Sequence, residues 1–371
     1  MNPDPTPKRK MSEMISEMAA PFISVGKTAE ALSQPDPGPV LDLLQAFRCS
    51  KAMFAAVSLG VFDALASGPK LLDALASDLQ TSRDGLERLL DACVGLQLLD
   101  RDERGYRNTS AATTYLCKRS PHRLTGYINY SNDVMWKLWG NLENAVREGS
   151  HRWKQTFGWD GPIFSNFFHN EGAMREFLMG MHGFGLISSP QVVAAFDLSM
   201  NHRLVDLGGA TGHLAIAACQ RYPLLRAIVF DLPDAVGLAK EVVSASDVAE
   251  RVEVAAGDFF TDPLPEGDLY ALGRILHDWT EEKILRLLGR IFESLPPQGA
   301  VLIAEKLLQE DRTGPRWAQM QDLNMLTCTE GKERTLAEYE GLLRKVGFSD
   351  VFGRKTSSPL DAALAVKCRG P

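Results

Sequence analysis

The chain has 371 residues, 45% of them hydrophobic and 23% charged, with a formal net charge of −7. That is enough apolar material for a sizeable core, and at roughly 150 residues per domain it suggests two domains or one large one. The negative balance argues against a protein that works by neutralising phosphate backbones, so a small molecule is the expected partner and nucleic acid is not.

The longest apolar run, AMFAAVSLGVF from Ala52 to Phe62, falls short of the roughly 18 residues that span a bilayer, and no membrane partner is expected. The N-terminus MNPDPTPKRK has no apolar signal core. Cys49, Cys93, Cys117, Cys219, Cys328 and Cys368 lie far apart with no CxxC pair. Such spacing signals neither a metal site nor a disulfide framework, and predicts reduced thiols in a cytoplasmic chain.

Residues 1–38 read as a linker-like leader, rich in Pro, Ser and Met and ending in SQPDPGP. Such a leader also suits a segment preceded by another domain in a longer chain. Residues 39–120 begin with a helical pattern through Leu43, Leu44, Phe47, Met53, Phe54, Val57 and Leu59. Two short helices, LLDALASDL and TSRDGLERLLDACVGLQLL, and a polar ribbon, DRDERGYRNTSAATTYL, complete a winged-helix pattern. A winged helix can read DNA, but here Leu86, Leu89, Leu90, Val94 and Leu96 form a buried stripe and only Arg83 and Arg88 are left for a groove. A dimerisation role is therefore favoured over a DNA-binding regulator, and a homodimer is expected because these apolar helices exceed what so small a domain can bury.

Residues 121–200 are helical and aromatic, with Trp136, Trp139, Phe164, Phe167, Phe168, Phe177, Met179, Met181 and Phe184. Most should pack a core, and a subset should wall an apolar pocket for a flat ligand. In residues 201–371 the short apolar runs RLVDLG, RAIVFDL, VEVAAGDF, DLYALGRIL and AVLIAEK alternate with helical stretches. That alternation predicts an α/β fold, a parallel sheet covered by helices on both faces, with GFSDVFGRKT and DAALAVK closing it as a hairpin.

The first of those strands runs into a glycine turn and a helix, RLVDLGGATGHLAIA. The order Asp206, Gly208, Gly209, Ala210, Thr211, Gly212 departs from the GxGxxG of dinucleotide sites. An acid two residues before the first glycine disfavours a pyrophosphate and suits a ligand with an ammonium group, such as S-adenosylmethionine. Asp231 at the end of the second strand could accept ribose hydroxyls, and Asp258 with Phe259 at the end of the third could hold an adenine. Each acid could instead cap a helix, but three at consecutive strand ends favour one ligand. Positive φ in this turn is expected at Gly208 or Gly209, leaving Ala210 unstrained.

The fourth strand leads into GRILHDWTEEK, which makes His277 the one histidine directly after a strand at the ligand-binding edge. A phenol-like hydroxyl, with a pKa near 10, needs a base as it attacks, and histidine suits the task. Glu305 in VLIAEK and Glu330 in TEGKERT are candidate partners for it.

Together LVDLGGATGHLA, VFDLPDAV, GDFFTDPLPEGDLY, GRILHDW, AEKLLQEDRTGP, LNMLTCTEGKERT and YEGLLRKVGF resemble the small-molecule O-methyltransferases of the acetylserotonin O-methyltransferase family, including its acetylserotonin O-methyltransferase-like branch, and plant caffeate-type enzymes. The resemblance covers about residues 40 to 368. It implies a seven-stranded, Rossmann-like S-adenosylmethionine-dependent methyltransferase domain behind a winged-helix dimerisation domain. By the same resemblance Gly208, Asp231, Asp258, Phe259 and Arg274 hold the cofactor, with Arg274 on its carboxylate. His277 is the base, flanked by Glu305 and Glu330, and Asp278 with Asn324 contacts a small aromatic substrate. Three residues depart from the family pattern: Ala210 where a glycine is usual, Phe168 in place of a tyrosine near the cofactor, and Cys328 in place of a substrate-binding glutamine. A scaffold that binds the cofactor without methylating is the alternative from another functional class.

Overall fold

The computed structural model describes residues 35–162, 164 and 170–368. Most of the leader, together with Phe167 and Phe168, lies outside the described residues. The chain divides into two compact units, 1–49 and 50–371, with the join inside helix α1 (Gly38–Ser58). In the first unit Oδ1 of Asp36 accepts the Gly38 amide at 2.9 Å at the start of α1. Val40, Leu41, Leu43, Leu44 and Phe47 of this helix are all more than half exposed.

In the second unit, helices α2 (Leu72–Asp78) and α3 (Arg83–Gly95) precede a two-stranded antiparallel ribbon, β1 (Leu99–Asp102) and β2 (Gly105–Asn108). The hydroxyl of Ser82 caps α3 by accepting the Gly85 amide. Leu86 and Leu90 bury against Phe62, Leu75 and Tyr106 as the leucine stripe predicts. Arg83 is held by Asp73 at 2.7 Å and Glu87 at 3.2 Å. A side chain committed to two carboxylates is poorly placed to meet a phosphate backbone.

Beyond the aromatic region the chain builds a seven-stranded sheet of β3 (Arg203–Leu207), β4 (Arg226–Asp231), β5 (Val252–Ala256), β6 (Leu269–Gly273), β7 (Ala300–Glu305), β8 (Asp350–Arg354) and β9 (Asp361–Val366). Its order is β5-β4-β3-β6-β7-β9-β8, parallel from β5 to β7. The tail forms the expected hairpin, but β9 inserts antiparallel between β7 and β8, so the earlier strand β8 is the edge. Side chains alternate between two apolar layers. Leu204, Val229, Ala271 and Leu302 face one, and Val205, Phe230, Leu272 and Val301 face the other. The first layer is covered by α4 (Glu171–Ala194), α5 (His213–Arg221) and α6 (Pro233–Ser244). The second is covered by α7 (Glu281–Ser294) and α9 (Leu336–Val346), and α8 (Arg316–Cys328) precedes α9 in the chain.

In α7 Ile284, Leu287, Leu288 and Ile291 form one fully buried face, and the Thr280 hydroxyl accepts the Lys283 amide at its start. Strand β3 lies between β4 and β6, both parallel to it, so the direction of winding reverses there and a crevice opens at the carboxyl ends of the strands. Among the described residues no helix is long and apolar enough to cross a membrane.

Candidate active site

The glycine turn lies at that crevice. Gly208 takes φ 66°, a left-handed conformation that favours glycine, and lies close against the Ile275 side chain. The expectation for Ala210 is corrected: it takes φ 51° itself, a left-handed conformation rare for alanine. Its amide donates to Oδ2 of Asp231 at 2.7 Å, while the Leu232 amide donates to Oδ1 at 2.7 Å. Asp231 thus ties the turn to the start of α6, and each oxygen keeps a lone pair for a ligand. Asp206, beneath the turn, accepts the Ala215 amide at 3.3 Å. Burial pushes its carboxyl up to about 7.

A cavity of about 720 Å³ fills the crevice and is lined by Asp206, Gly208, Asp231, Asp258, Phe259 and Arg274. Six residues scattered over 69 positions of sequence meet here because each follows, or closely precedes, the end of a neighbouring strand. Asp258 accepts the Phe260 amide at 2.8 Å, and Arg274 is set by its amide on the Ala304 carbonyl at 3.0 Å with its guanidinium 5.6 Å from the Phe184 ring. Neither Asp206 nor Asp231 forms an ion pair among the described residues. Buried acids without cations, an arginine and an aromatic face in one cavity fit a ligand bearing an ammonium, a carboxylate, a ribose and a flat base.

The same cavity is lined on its other side by His277, Asp278, Asn324, Cys328 and Glu330, with walls that include Phe164, Phe177, Met181 and Trp279. Of the other aromatic candidates, Trp139 supports the site from behind by donating Nε1–H to Oδ1 of Asn324 at 2.9 Å. That bond fixes which way the Asn324 amide points and leaves its NH2 as a donor. Cys328 donates its thiol to the Asn324 backbone carbonyl at 3.0 Å, and burial holds that thiol well above its ordinary range.

His277 follows β6 in a single tight turn, Leu276–Asp278. One oxygen of Glu305 accepts the amides of Ile275, Leu276 and His277 at 3.1, 2.9 and 3.3 Å and fixes that turn. The other Glu305 oxygen lies 3.3 Å from Nδ1 of His277. The direct partner of Nδ1 is Glu333, at 2.6 Å. Glu330 is corrected: it pairs with Lys283 at 2.6 Å on the partly exposed rim.

Glycine at 331 explains the choice between the two glutamates. A Cβ there would strike the His277 carbonyl and come within 2.6 Å of the Trp279 amide. The loop therefore lies flat on the histidine's own backbone and sends the residue after the next one underneath it. The Glu333 amide, bonded to Oδ1 of Asp322 at 2.9 Å, and the Arg334 guanidinium, on the Leu276 carbonyl at 3.3 Å, hold that course. Sequence reasoning missed Glu333 because the loop is irregular and has no periodicity to say which glutamate turns inward.

Nδ1–H donated to a carboxylate leaves the Nε2 lone pair free, 3.7 Å from Oδ1 of Asp278. Burial pushes Asp278 up to about 7 and Glu333 up to about 8. The nearest ligand atoms of His277, Glu305 and Glu333 lie within 4.8 Å of one another, a grouping that could hold a cation. At 2.6 Å, however, the histidine and Glu333 are joined by a direct hydrogen bond, closer than two ligands across an ion. The arrangement can accept a proton at Nε2 and stabilise the cation that forms.

Comparison with known proteins agrees with this geometry. Residues 41–118 match the O-methyltransferase dimerisation domain and residues 139–349 the O-methyltransferase domain. The chain is 41% identical over 333 residues to human acetylserotonin O-methyltransferase, covering 88% of this chain and 96% of that one. It is 40% identical to a human protein named as a probable bifunctional dTTP/UTP pyrophosphatase/methyltransferase, covering 92% of this chain but spanning only 55% of that relative's length. The crystal structure of human N-acetylserotonin methyltransferase in complex with S-adenosylmethionine superposes with a TM-score of 0.86 at 40% identity, covering 91% of this chain and 99% of that one.

Proposed function

The chain belongs to the family of S-adenosylmethionine-dependent O-methyltransferases, and from that premise we propose that it methylates a small aromatic hydroxyl compound with His277 as the base. The observation that carries this reading is the 2.6 Å bond from Glu333 to Nδ1 of a buried histidine that faces a 720 Å³ cavity. Bound S-adenosylmethionine supplies a methyl group made electrophilic by its sulfonium.

Asp206, Gly208, Asp231, Asp258, Phe259 and Arg274 hold the cofactor in this reading. Phe177, Met181 and Trp279 present flat apolar surface to an aromatic ring, and the Asn324 amide and the Asp278 carboxyl orient its polar groups. Nε2 of His277 takes the hydroxyl proton as the oxygen attacks, so the oxygen never needs to ionise freely at neutral pH. Glu333, 2.6 Å from Nδ1, orients the ring and stabilises the imidazolium as it forms. Glu305 acts by holding the turn that aims the ring.

The matched dimerisation domain and the exposed apolar side chains Val40, Leu41, Leu43, Leu44 and Phe47 support a homodimer. Six free cysteines suit the reducing cytoplasm. For N-acetylserotonin, the compound in the relatives' names, we propose poor turnover, because the Cys328 thiol already gives its hydrogen to Asn324 and has none for a ligand.

Titration calorimetry with S-adenosylhomocysteine, followed by a panel of aromatic hydroxyl compounds, tests the reading. His277→Ala should lose about 10²- to 10⁴-fold in turnover and keep its cofactor affinity. Undiminished turnover would mean that the hydroxyl ionises without a protein base.

A further inference from the structure

His213 opens helix α5, lines the same cavity and was given no role by sequence. Its Nδ1 lies 2.9 Å from the hydroxyl of Ser189 on α4, and its Nε2 has no hydrogen-bond partner among the described residues. The ring rests against the backbone of Gly185, where any Cβ would collide with it. Helix α4 therefore makes room for this imidazole. His182, its neighbour at 6.5 Å between ring centroids, is tied to Thr211 at 2.8 Å, so the turn that carries His213 is pinned from the same helix.

Arg274 reaches the cavity from the end of β6, at an unusual φ of 58°. Its guanidinium stacks near Phe184 and makes no ion pair among the described residues. One uncommitted cation, one uncommitted imidazole edge and the N-terminal end of a nine-residue helix thus share one wall. Such a set suits an anion. Asp206 and Asp231, the acids of the crevice, provide for groups of opposite character.

We infer that His213 is a cofactor-binding residue that donates Nε2–H to the carboxylate of S-adenosylmethionine, forming a clamp with Arg274. The inference rests on the reading of the cavity as the cofactor site. The Ser189 hydroxyl donates to Nδ1, which puts the ring proton on Nε2, and Ser189 is a positioning residue in this sense. Burial, with His182 and Arg274 nearby, pushes His213 down to about 3, so it acts as a neutral donor at working pH. The clamp then carries the single positive charge of Arg274 against a single carboxylate.

The test compares two ligands of the full chain by calorimetry: S-adenosylhomocysteine, and S-adenosyl-3-thiopropylamine, the same molecule without its carboxylate. His213→Ala should weaken S-adenosylhomocysteine about 10-fold and leave the decarboxylated ligand within about 2-fold. Ser189→Ala should show the same selectivity at about 3-fold, and His213→Asn, which keeps a donor and serves if the alanine variant does not fold, should fall between wild type and His213→Ala. Equal loss for both ligands, or no loss for either, overturns the inference while the cofactor site stands. If wild type binds neither ligand, the reading of the cavity falls and the inference falls with it.

Discussion

Oε1 of Glu333 lies 2.6 Å from Nδ1 of His277, and Glu330, three residues earlier, reaches Lys283 instead. The two glutamates should therefore respond differently to the same change. Glu333→Gln should lower kcat by about 10²-fold with a small effect on substrate KM, because the ring loses both its tautomer and its counter-charge. Glu330→Gln should stay within about 3-fold, since a partly exposed pair with Lys283 contributes little. Steady-state kinetics of the two variants, side by side, decide the matter. Equal losses would return Glu330 to the reacting group.

Cys328 gives a second test. Its thiol is spent on the Asn324 carbonyl at 3.0 Å, so the wall at this point has no donor for a polar side chain of the substrate. Wild type should turn N-acetylserotonin over slowly or not at all. Cys328→Gln, which brings an amide to the same wall, should raise that rate at least about 10-fold. Efficient turnover by wild type would show that the thiol is no obstacle.

Asp206 links the cofactor turn to pH. Its carboxyl sits at about 7 in the folded chain, against an ordinary value near 4. The folded state thus keeps a proton that the unfolded chain releases, and this contribution to stability is complete below pH ~4 and lost as pH rises through 7. Asp206→Asn, which cannot ionise, should gain on wild type by about 3 °C or more in Tm between pH 4 and pH 8. A constant difference in Tm across that range would mean that Asp206 titrates normally.

Ala210 tests the turn itself. Left-handed alanine costs about 1 kcal/mol, and glycine would relieve that. Glycine would also free the unfolded chain by about 0.4–1 kcal/mol and remove a methyl group packed against Leu178, Ala235 and Leu238. These terms oppose each other, so Ala210→Gly should change stability by less than about 1 kcal/mol. Ala210→Val, branched at Cβ in a conformation that already crowds it, should cost about 2 kcal/mol or more. Thermal unfolding of both variants checks the pair, and a tolerated valine would mean that the turn relaxes.

Much of this site is legible in the sequence. Asp206, Asp231 and Asp258 could be grouped because each ends an apolar strand, and parallel strands deliver their ends to one edge. The leucine stripe of α3 could be read because a helix repeats. The partner of His277 could not, since the loop carrying Glu330 and Glu333 follows no period and its course is set by Gly331 lying on a backbone far away in sequence. Ala210 was misjudged for a related reason: φ in a tight turn is imposed by the Asp231 carboxylate that captures its amide. His213 escaped notice because it sits inside a helix start rather than directly after a strand, and only the room left by Gly185 reveals it.

Strand β9 has a consequence for how the protein is made. Its first residue, Asp361, pairs with Glu305 in register, holds Lys306 through Oδ1 at 3.1 Å and takes the Leu307 amide on Oδ2 at 3.2 Å. During translation β7 and Glu305 leave the ribosome long before β9, and β8 has nothing to pair with until β9 arrives. A nascent chain at that stage shows the bare edge of β7, the kind of surface that recruits chaperones and seeds aggregation. Until β9 arrives, the strand that carries Glu305 is open along one side, and the sheet that presents the site is incomplete.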